Sequence, residues 1–269
     1  MPEILNYSFM RRAFIVGNIV GIIAPLIGVF LSLKRLSLIG HTLSHIALAG
    51  AAVGLAFGIY PVGVAVVFAA IAGLGIERLK NKYKDYAELS LSIVLATGLG
   101  IMVLVVSFSD KSAGIFSYLF GSISLVTERD LMVILPLGLL TAGVVFVFYY
   151  GFFFLSFNEE EAELAGVPVK FLNPVFTVLT AFTVALSMRI IGGLLISSLI
   201  ILPVATGIQL GRSFRETIVF SIIGGLVAVN LGLVVSFYFD LAPGGVIIMV
   251  SVFILLMVLI FKRVSGVIE

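Results

Sequence analysis

AFIVGNIVGIIAPLIGVFLSL, residues 13–33, is a run of 21 residues without a charged side chain. A helix needs about 20 predominantly apolar residues to cross the hydrocarbon core of a bilayer. The run follows Arg11 and Arg12 and is too long for the apolar part of a cleavable secretory signal. It therefore predicts a first membrane-spanning helix.

The rest of the chain repeats this pattern. Of its 269 residues, 61% are hydrophobic and 11% are charged, whereas a soluble domain usually has about 25% charged residues. We predict an all-α, multi-pass integral membrane protein, a bundle of about nine transmembrane helices that forms one domain over residues 1–269. The candidate spans are 13–33, 37–58, 61–77, 88–108, 131–152, 174–190, 192–210, 217–238 and 243–261.

Two shorter segments are expected to be helical without spanning. Residues 112–126 are apolar but too short to cross, which favours an interfacial or re-entrant outer helix. The acidic stretch NEEEAELAGVP, residues 158–168, predicts a two-turn helix, because Asn158 can cap it and Gly166 and Pro168 can end it. This segment is either a solvated loop helix or a helix that docks onto a partner, since two turns alone are marginal in water.

Basic residues indicate the orientation, because they concentrate in cytoplasmic loops. With nine spans, 11 of the 16 lysines and arginines fall on one side, which gives an outside N-terminus and an inside C-terminus. Arg11 and Arg12 argue against this assignment, since they would lie at the outer end of the first span. The cytoplasmic set is Lys34, Arg35, Arg78, Lys80, Lys82, Lys84, Lys170, Arg212, Arg215, Lys262 and Arg263.

The chain contains only two histidines, His41 and His45, four residues apart in the second span. Residues with this spacing share one helical face, and neutral imidazole is a common ligand of divalent transition metals. Either the pair is structural, hydrogen-bonded between helices, or it lines a metal or proton path. Gly50, Gly54 and Gly58 form a small-residue ridge on the same span, which predicts close helix packing rather than lipid contact.

Several kinds of chemistry are excluded by the residues present. An intramembrane metalloprotease of the HExxH type needs a glutamate beside its first histidine, but residue 42 is Thr. The chain has no cysteine, so it has no disulfide or thiolate metal site. It has no GxxxxGK[ST] loop, so ATP-driven work would need a second subunit. The scattered net charge of +2 offers no patch for nucleic acid.

Two further polar residues are candidates for a metal path or its entry. Asp240 follows the eighth span and either attracts cations or caps a turn. Asn230 lies within that span, where an interhelical hydrogen bond is the stronger alternative to ion binding.

Five segments in order resemble the membrane permease subunits of bacterial ABC transporters that import zinc or manganese. They are GVFLSLKRLSLIGHTLSHIALAGAAVGL, YLFGSISLVTERDL, FNEEEAELAGVPV, GGLLISSLIILPVATG and DLAPGGVIIMV. The resemblance covers nearly the whole chain and implies a single permease domain, residues 1–269, in the bacterial inner or cell membrane.

The resemblance implies a homodimer around a central path, with alternating access driven by two cytoplasmic ATP-binding subunits. The ATPases would dock on a coupling helix formed by Asn158, Glu159, Glu160, Glu161, Glu163 and Gly166. An extracellular or periplasmic binding protein would deliver the metal. The chain itself would be a transport subunit and not an enzyme, with no covalent cofactor, and Zn²⁺ or Mn²⁺ would be its cargo.

By position, the resemblance makes His41 and His45 the metal-contacting residues. The family commonly has an acid where this chain has His41, and a second imidazole in place of an oxygen ligand favours zinc over manganese. The alternatives are manganese or iron as cargo, or a secondary transporter or channel driven by a gradient.

Overall fold

A computed structural model describes residues 4–34, 36–83, 87–108 and 112–264. This part of the chain folds into twelve α-helices, after a short 3-10 turn at Ile4–Asn6. The helices are α1 (Ser8–Leu33), α2 (Ser37–Phe57), α3 (Pro61–Lys82), α4 (Ala87–Phe108), α5 (Ser112–Phe120), α6 (Glu128–Val147), α7 (Tyr149–Phe157), α8 (Glu159–Leu164), α9 (Val169–Ile191), α10 (Ile196–Leu210), α11 (Phe214–Phe239) and α12 (Pro243–Val264).

Eight of these helices are long and apolar enough to cross a membrane, so the prediction of a multi-pass helical bundle is confirmed, but the count of nine is not. The exception is the predicted span 192–210, where the helix α10 has only 15 residues. The chain turns at Gly192, whose φ of 91° and ψ of 145° favour glycine. Residues 192–195 therefore form a turn, and α10 begins only at Ile196.

Two other predicted boundaries differ from the structure. The span predicted at 131–152 is interrupted at Phe148, between α6 and α7. The outer helix predicted at 112–126 ends at Phe120, because Gly121 has a left-handed φ of 79°. The acidic helix lies where the sequence predicts it, at Glu159–Leu164.

Burial separates a core of three spanning helices from a peripheral set. Over their most apolar windows, 67% of α1, 72% of α2 and 78% of α9 is buried, against 17% of both α4 and α12. The expectation that α2 packs against protein is therefore confirmed. Gly50 allows that packing, because a β-carbon there would meet the backbone of Ala65 in α3. Gly58 does not extend the ridge, since it takes a left-handed φ of 68° and ends α2.

The bundle has two distinct ends, joined by α1. Arg12, near the start of α1, donates to the carbonyl of Val126 at 2.8 Å. Lys34 caps the other end of α1 and, 22 residues later, lies about 33 Å away along the helix axis. We call the end near Arg12 the Asp130 end and the opposite end the Lys34 end. The Lys34 end is the predicted cytoplasmic side.

Candidate functional site

The two histidines face each other on α2. Their ring centroids are 4.7 Å apart and their planes meet at 82°. Both rings project from the same side of the helix, as residues four apart should. Among the described residues, neither imidazole has a protein hydrogen-bond partner, so the structure offers no interhelical bond of the kind that a purely structural pair would make.

The histidine face is the open side of a helix that is otherwise buried. His41 is exposed and His45 is half-buried, while Thr42, Leu43 and Ser44 between them are buried. Leu38, one turn before His41, is also exposed, at 58%. An ionisable side chain within a span normally faces a bundle interior or a water-filled path instead of lipid. The exposed stripe of α2 is therefore a candidate lining of a path or an interface.

The pair supplies two metal ligands within one chain. Over residues 4–34, 36–83, 87–108 and 112–264, no group of three or more His, Asp and Glu side chains lies close enough to hold an ion. A tetrahedral zinc site needs four ligands. Any ion held here by protein alone would need further ligands from beyond the described residues of this chain.

The acidic helix α8 is capped as the sequence predicts. The side chain of Asn158 accepts hydrogen bonds from the backbone N–H groups of Glu160, at 2.9 Å, and Glu161, at 3.4 Å. Gly166 takes a φ of 83° just beyond the helix, where its N–H donates to the carbonyl of Glu163 at 3.0 Å. Ala162 is the buried residue of α8, whereas Leu164 is 89% exposed. One side of α8 therefore rests on the protein and the other is open.

A buried lysine joins α8 to the bundle. The Nζ of Lys34 donates to Oδ1 of Asn173 at 2.6 Å and to Oε1 of Glu159 at 3.3 Å. The Lys34 side chain is only 6% exposed, whereas that of Glu159 is 45% exposed. Burial lowers the pKa of Lys34, and the charge of Glu159 opposes that change. Lys34, Glu159 and Asn173 are called the Lys34 cluster below.

A second ion pair, between Asp130 and Arg189, lies at the other end of the bundle. Oδ2 of Asp130 accepts from Nε of Arg189 at 3.0 Å, and both side chains are buried. Asp130 also accepts from the hydroxyl of Tyr60 at 2.7 Å and from the backbone N–H of Thr127 at 2.8 Å. Tyr60, Thr127, Asp130 and Arg189 form the Asp130 cluster, which ties the first residues of α3 and α6 to the last turn of α9.

Two tyrosines complete the surroundings of this ion pair. The guanidinium carbon of Arg189 lies 4.9 Å from the ring centroid of Tyr118. Burial raises the pKa of Tyr60 and of Tyr118, and Asp130 adds to both changes. A cavity of about 660 Å³ opens beside the cluster, and Arg12, Glu128 and Arg129 contribute to its lining.

The outer helix α5 is joined to the turn between α9 and α10 by backbone hydrogen bonds. The N–H groups of Gly193 and Leu194 donate to the carbonyls of Tyr118, at 2.7 Å, and Leu119, at 3.3 Å. A β-carbon at Gly121 or Gly192 would collide with backbone atoms of the opposite segment. The close crossing of α5 and this turn therefore requires glycine at both Gly121 and Gly192.

The two further candidates for a metal path, Asn230 and Asp240, lie away from the histidines. Asn230, on α11, donates to Oδ1 of Asn18 on α1 at 2.7 Å. Asp240 is exposed and takes a left-handed φ of 51° at the end of α11. Asn230 thus has an interhelical partner, and Asp240 occupies a turn.

The Lys34 and Asp130 clusters were not predicted from the sequence, where Lys34 served only to indicate the orientation. The partners of Lys34 and Arg189 lie 125 and 59 residues away along the chain, so no local spacing connects them. One signal was available: an arginine next to a long apolar run usually has a buried partner or a functional role.

The chain resembles curated metal-transport proteins along nearly its full length. It is 39% identical over 261 residues to a "Probable metal transport system membrane protein" of Treponema pallidum, covering 97% of this chain and 98% of that protein. It is 28% identical to the "Manganese transport system membrane protein MntC" of Listeria monocytogenes, covering 99% and 95%. It is also 28% identical to the "High-affinity zinc uptake system membrane protein ZnuB" of Haemophilus influenzae, covering 96% and 98%.

A solved structure shares the fold. "PsaBC from Streptococcus pneumoniae in complex with Fab" superposes with a TM-score of 0.84 at 27% identity, covering 95% of this chain and 92% of that one. The model of the ABC 3 transport family matches residues 6–262. The chain is an ABC-type metal permease subunit, and it belongs to the ABC 3 transport family.

Proposed function

We propose that the chain is the permease of an ATP-driven importer of Zn²⁺, and that His41 and His45 contact the ion during alternating access. The observation that carries this is the pair of imidazoles on the open face of α2, at a centroid distance of 4.7 Å and without a protein hydrogen-bond partner among the described residues. An ABC permease that carries metal needs a path with weak ligands, because a tight site would not release its ion.

A second copy of the chain would explain why the histidine face is open. Covering this face with lipid would place His41 against hydrocarbon, which is costly. Two copies meeting along α2 would add the imidazoles of the second chain to the pair, which supplies further ligands along a shared path without requiring a closed four-ligand site. A homodimer around a central path therefore accounts for both the exposure of His41 and the missing ligands.

Two imidazoles per chain favour zinc over manganese, because manganese prefers carboxylate and water ligands. The relatives named above include a manganese and a zinc system, so manganese is the alternative cargo. ATP would be hydrolysed by a separate subunit that docks on α8, and a metal-binding protein would supply the ion at the Asp130 end.

Uptake by the reconstituted complex tests the proposal. The chain, its ATP-binding subunit and its binding protein would be placed in proteoliposomes, and uptake of Zn²⁺ and Mn²⁺ measured with and without ATP. We expect ATP-dependent Zn²⁺ uptake that His45→Ala abolishes without loss of assembly. Uptake independent of ATP, or normal Zn²⁺ import by the His41→Ala/His45→Ala double variant, would contradict it.

A substitution at His41 tests the choice of metal. His41→Asp exchanges one nitrogen ligand for oxygen, so the ratio of Mn²⁺ to Zn²⁺ uptake should rise by about tenfold, which corresponds to roughly 1.4 kcal/mol. Leu38→Ala is the matched control, because Leu38 is exposed one turn away and cannot bind metal. An equal ratio in His41→Asp and the wild type would show that His41 does not select the ion.

A further inference from the structure

Lys34 lies between α8, the proposed docking helix of the ATP-binding subunit, and α2, the helix that carries His41 and His45. It is the residue after the last turn of α1, and α2 begins three residues later at Ser37. His41 lies one turn into α2. A lysine at such a joint would ordinarily extend into water, yet the side chain of Lys34 is 6% exposed. Something other than solvation determines its orientation.

The partners of Lys34 come from three other helices. Asn173 on α9 accepts from it at 2.6 Å, and Glu159 at the start of α8 accepts at 3.3 Å. Its Nζ lies 5.4 Å from the ring centroid of Phe176 on α9. The charges of Glu77 and Lys80 on α3 also act on it. The amine is therefore held by a fixed amide on the bundle and a carboxylate on α8.

The bond to Glu159 is the stronger of the two ion pairs of α8 within the described residues. The other pair joins Glu163 to Lys170 at 3.9 Å, with both side chains largely in water, where such pairs contribute little. Glu159, by contrast, reaches an amine that solvent hardly touches. A displacement of α8 would consequently act on Lys34 at the end of α1, and so on the start of α2 at Ser37.

We propose that Lys34 is a positioning residue that transmits movement of α8 to the α1–α2 joint and so to the histidine face. This rests on the proposed function, since it assumes that an ATP-binding subunit moves α8. Breaking the Lys34–Glu159 pair leaves the ATPase free to dock and to hydrolyse ATP, but α2 no longer follows α8. The expected defect is hydrolysis without proportionate metal transport.

The test compares metal uptake with ATP hydrolysis in the full reconstituted complex. Lys34→Met keeps most of the side-chain volume and removes the charge. We expect it to lower the number of Zn²⁺ ions imported per ATP about tenfold, within the usual range for coupling between two sites, while the hydrolysis rate and the ATPase content stay near wild type. Lys34→Arg should restore coupling, because it returns the positive charge.

Lys170→Met is the matched control, because it breaks the exposed ion pair of the same short helix. It should leave the ratio of uptake to hydrolysis unchanged. If Lys34→Met lowers uptake, hydrolysis and assembly in parallel, with the ratio unchanged, Lys34 is structural and the proposal is wrong. If the wild-type complex shows no ATP-dependent uptake at all, the proposed function fails first, and independently of Lys34.

A second readout follows movement instead of transport. Because the chain has no cysteine, Leu38→Cys would give a single thiol on the exposed stripe of α2. We expect its labelling rate by a water-soluble maleimide to change when a non-hydrolysable ATP analogue binds the complex. The added Lys34→Met substitution should abolish that change, and Lys170→Met should not. A change that persists in Lys34→Met would overturn the proposal.

Discussion

The two ends of the bundle hold their buried charges in different ways. In the Asp130 cluster both members of the ion pair are buried, at 1% and 8% exposure, and the carboxylate has further donors from Tyr60 and Thr127. In the Lys34 cluster the amine is buried, but its carboxylate partner Glu159 is 45% exposed. Glu159 therefore meets solvent on one side and can shift together with α8, whereas Asp130 is enclosed by its donors. The comparison indicates a fixed Asp130 end and an adjustable Lys34 end.

The largest expected effect comes from breaking the fixed end. Arg189→Met leaves the carboxylate of Asp130 buried without its cation, which should destabilise the protein by about 3–5 kcal/mol. The measurement is the thermal unfolding midpoint in detergent, together with the yield of monodisperse protein. Arg129→Met is the control, because Arg129 is adjacent to Asp130 but exposed. Equal stability of the two variants would show that the buried ion pair does not fix the Asp130 end.

A smaller effect should follow from breaking the adjustable end. Glu159→Gln removes a carboxylate that is nearly half exposed, and Asn173 continues to accept from Lys34 at 2.6 Å. We expect a loss of no more than about 1 kcal/mol, typical of ion pairs near the surface, measured by the same unfolding assay. A loss as large as that of Arg189→Met would mean that both ends are equally rigid.

Alkaline pH should act on the two ends with opposite sign. The pKa of Tyr60 is raised above its usual 10.0, so its stabilising contribution is present below pH 10.0 and is lost as the pH rises through the higher folded value. The pKa of Lys34 is lowered from 10.5, so the cost of burying its charge is relieved as the pH rises toward 10.5.

These two opposite trends are tested by measuring the thermal unfolding midpoint between about pH 8 and pH 11. This range includes the reference pKa values of tyrosine and lysine side chains. Relative to the wild type, Tyr60→Phe should flatten the alkaline loss of stability. Lys34→Met should steepen it, because the relief at Lys34 disappears. Parallel curves for the three proteins would show that neither group contributes to the pH dependence.

Local pattern was enough to predict most of the fold. Uninterrupted apolar runs predicted the spanning helices, and Asn158 with Gly166 predicted α8 with its cap and its end. The boundary at Phe148 could not be predicted, because residues 131–152 remain apolar through the break. The shortening of α10 was also missed, since the turn at Gly192 depends on backbone contacts with α5, a segment distant in the sequence.

Candidate site residues were predicted only where the signal lay within one helix. His41 and His45 are four apart, so helical geometry alone predicts that their rings meet. Lys34 and Glu159 are 125 residues apart, and Asp130 and Arg189 are 59 apart. Their pairing depends on how the helices assemble, which a single sequence does not encode in any local pattern.

The crossing between α5 and the turn before α10 has a consequence for how this protein can vary. Its hydrogen bonds join backbone to backbone, so they do not depend on the side chains of Tyr118 or Leu119. Gly121 and Gly192, however, leave no room for a β-carbon, because the obstructing atoms are main chain and cannot be trimmed by a second substitution. Natural variants should therefore exchange the exposed side chains of α5 while neither glycine changes, and no compensating mutation elsewhere would restore a variant that lost one.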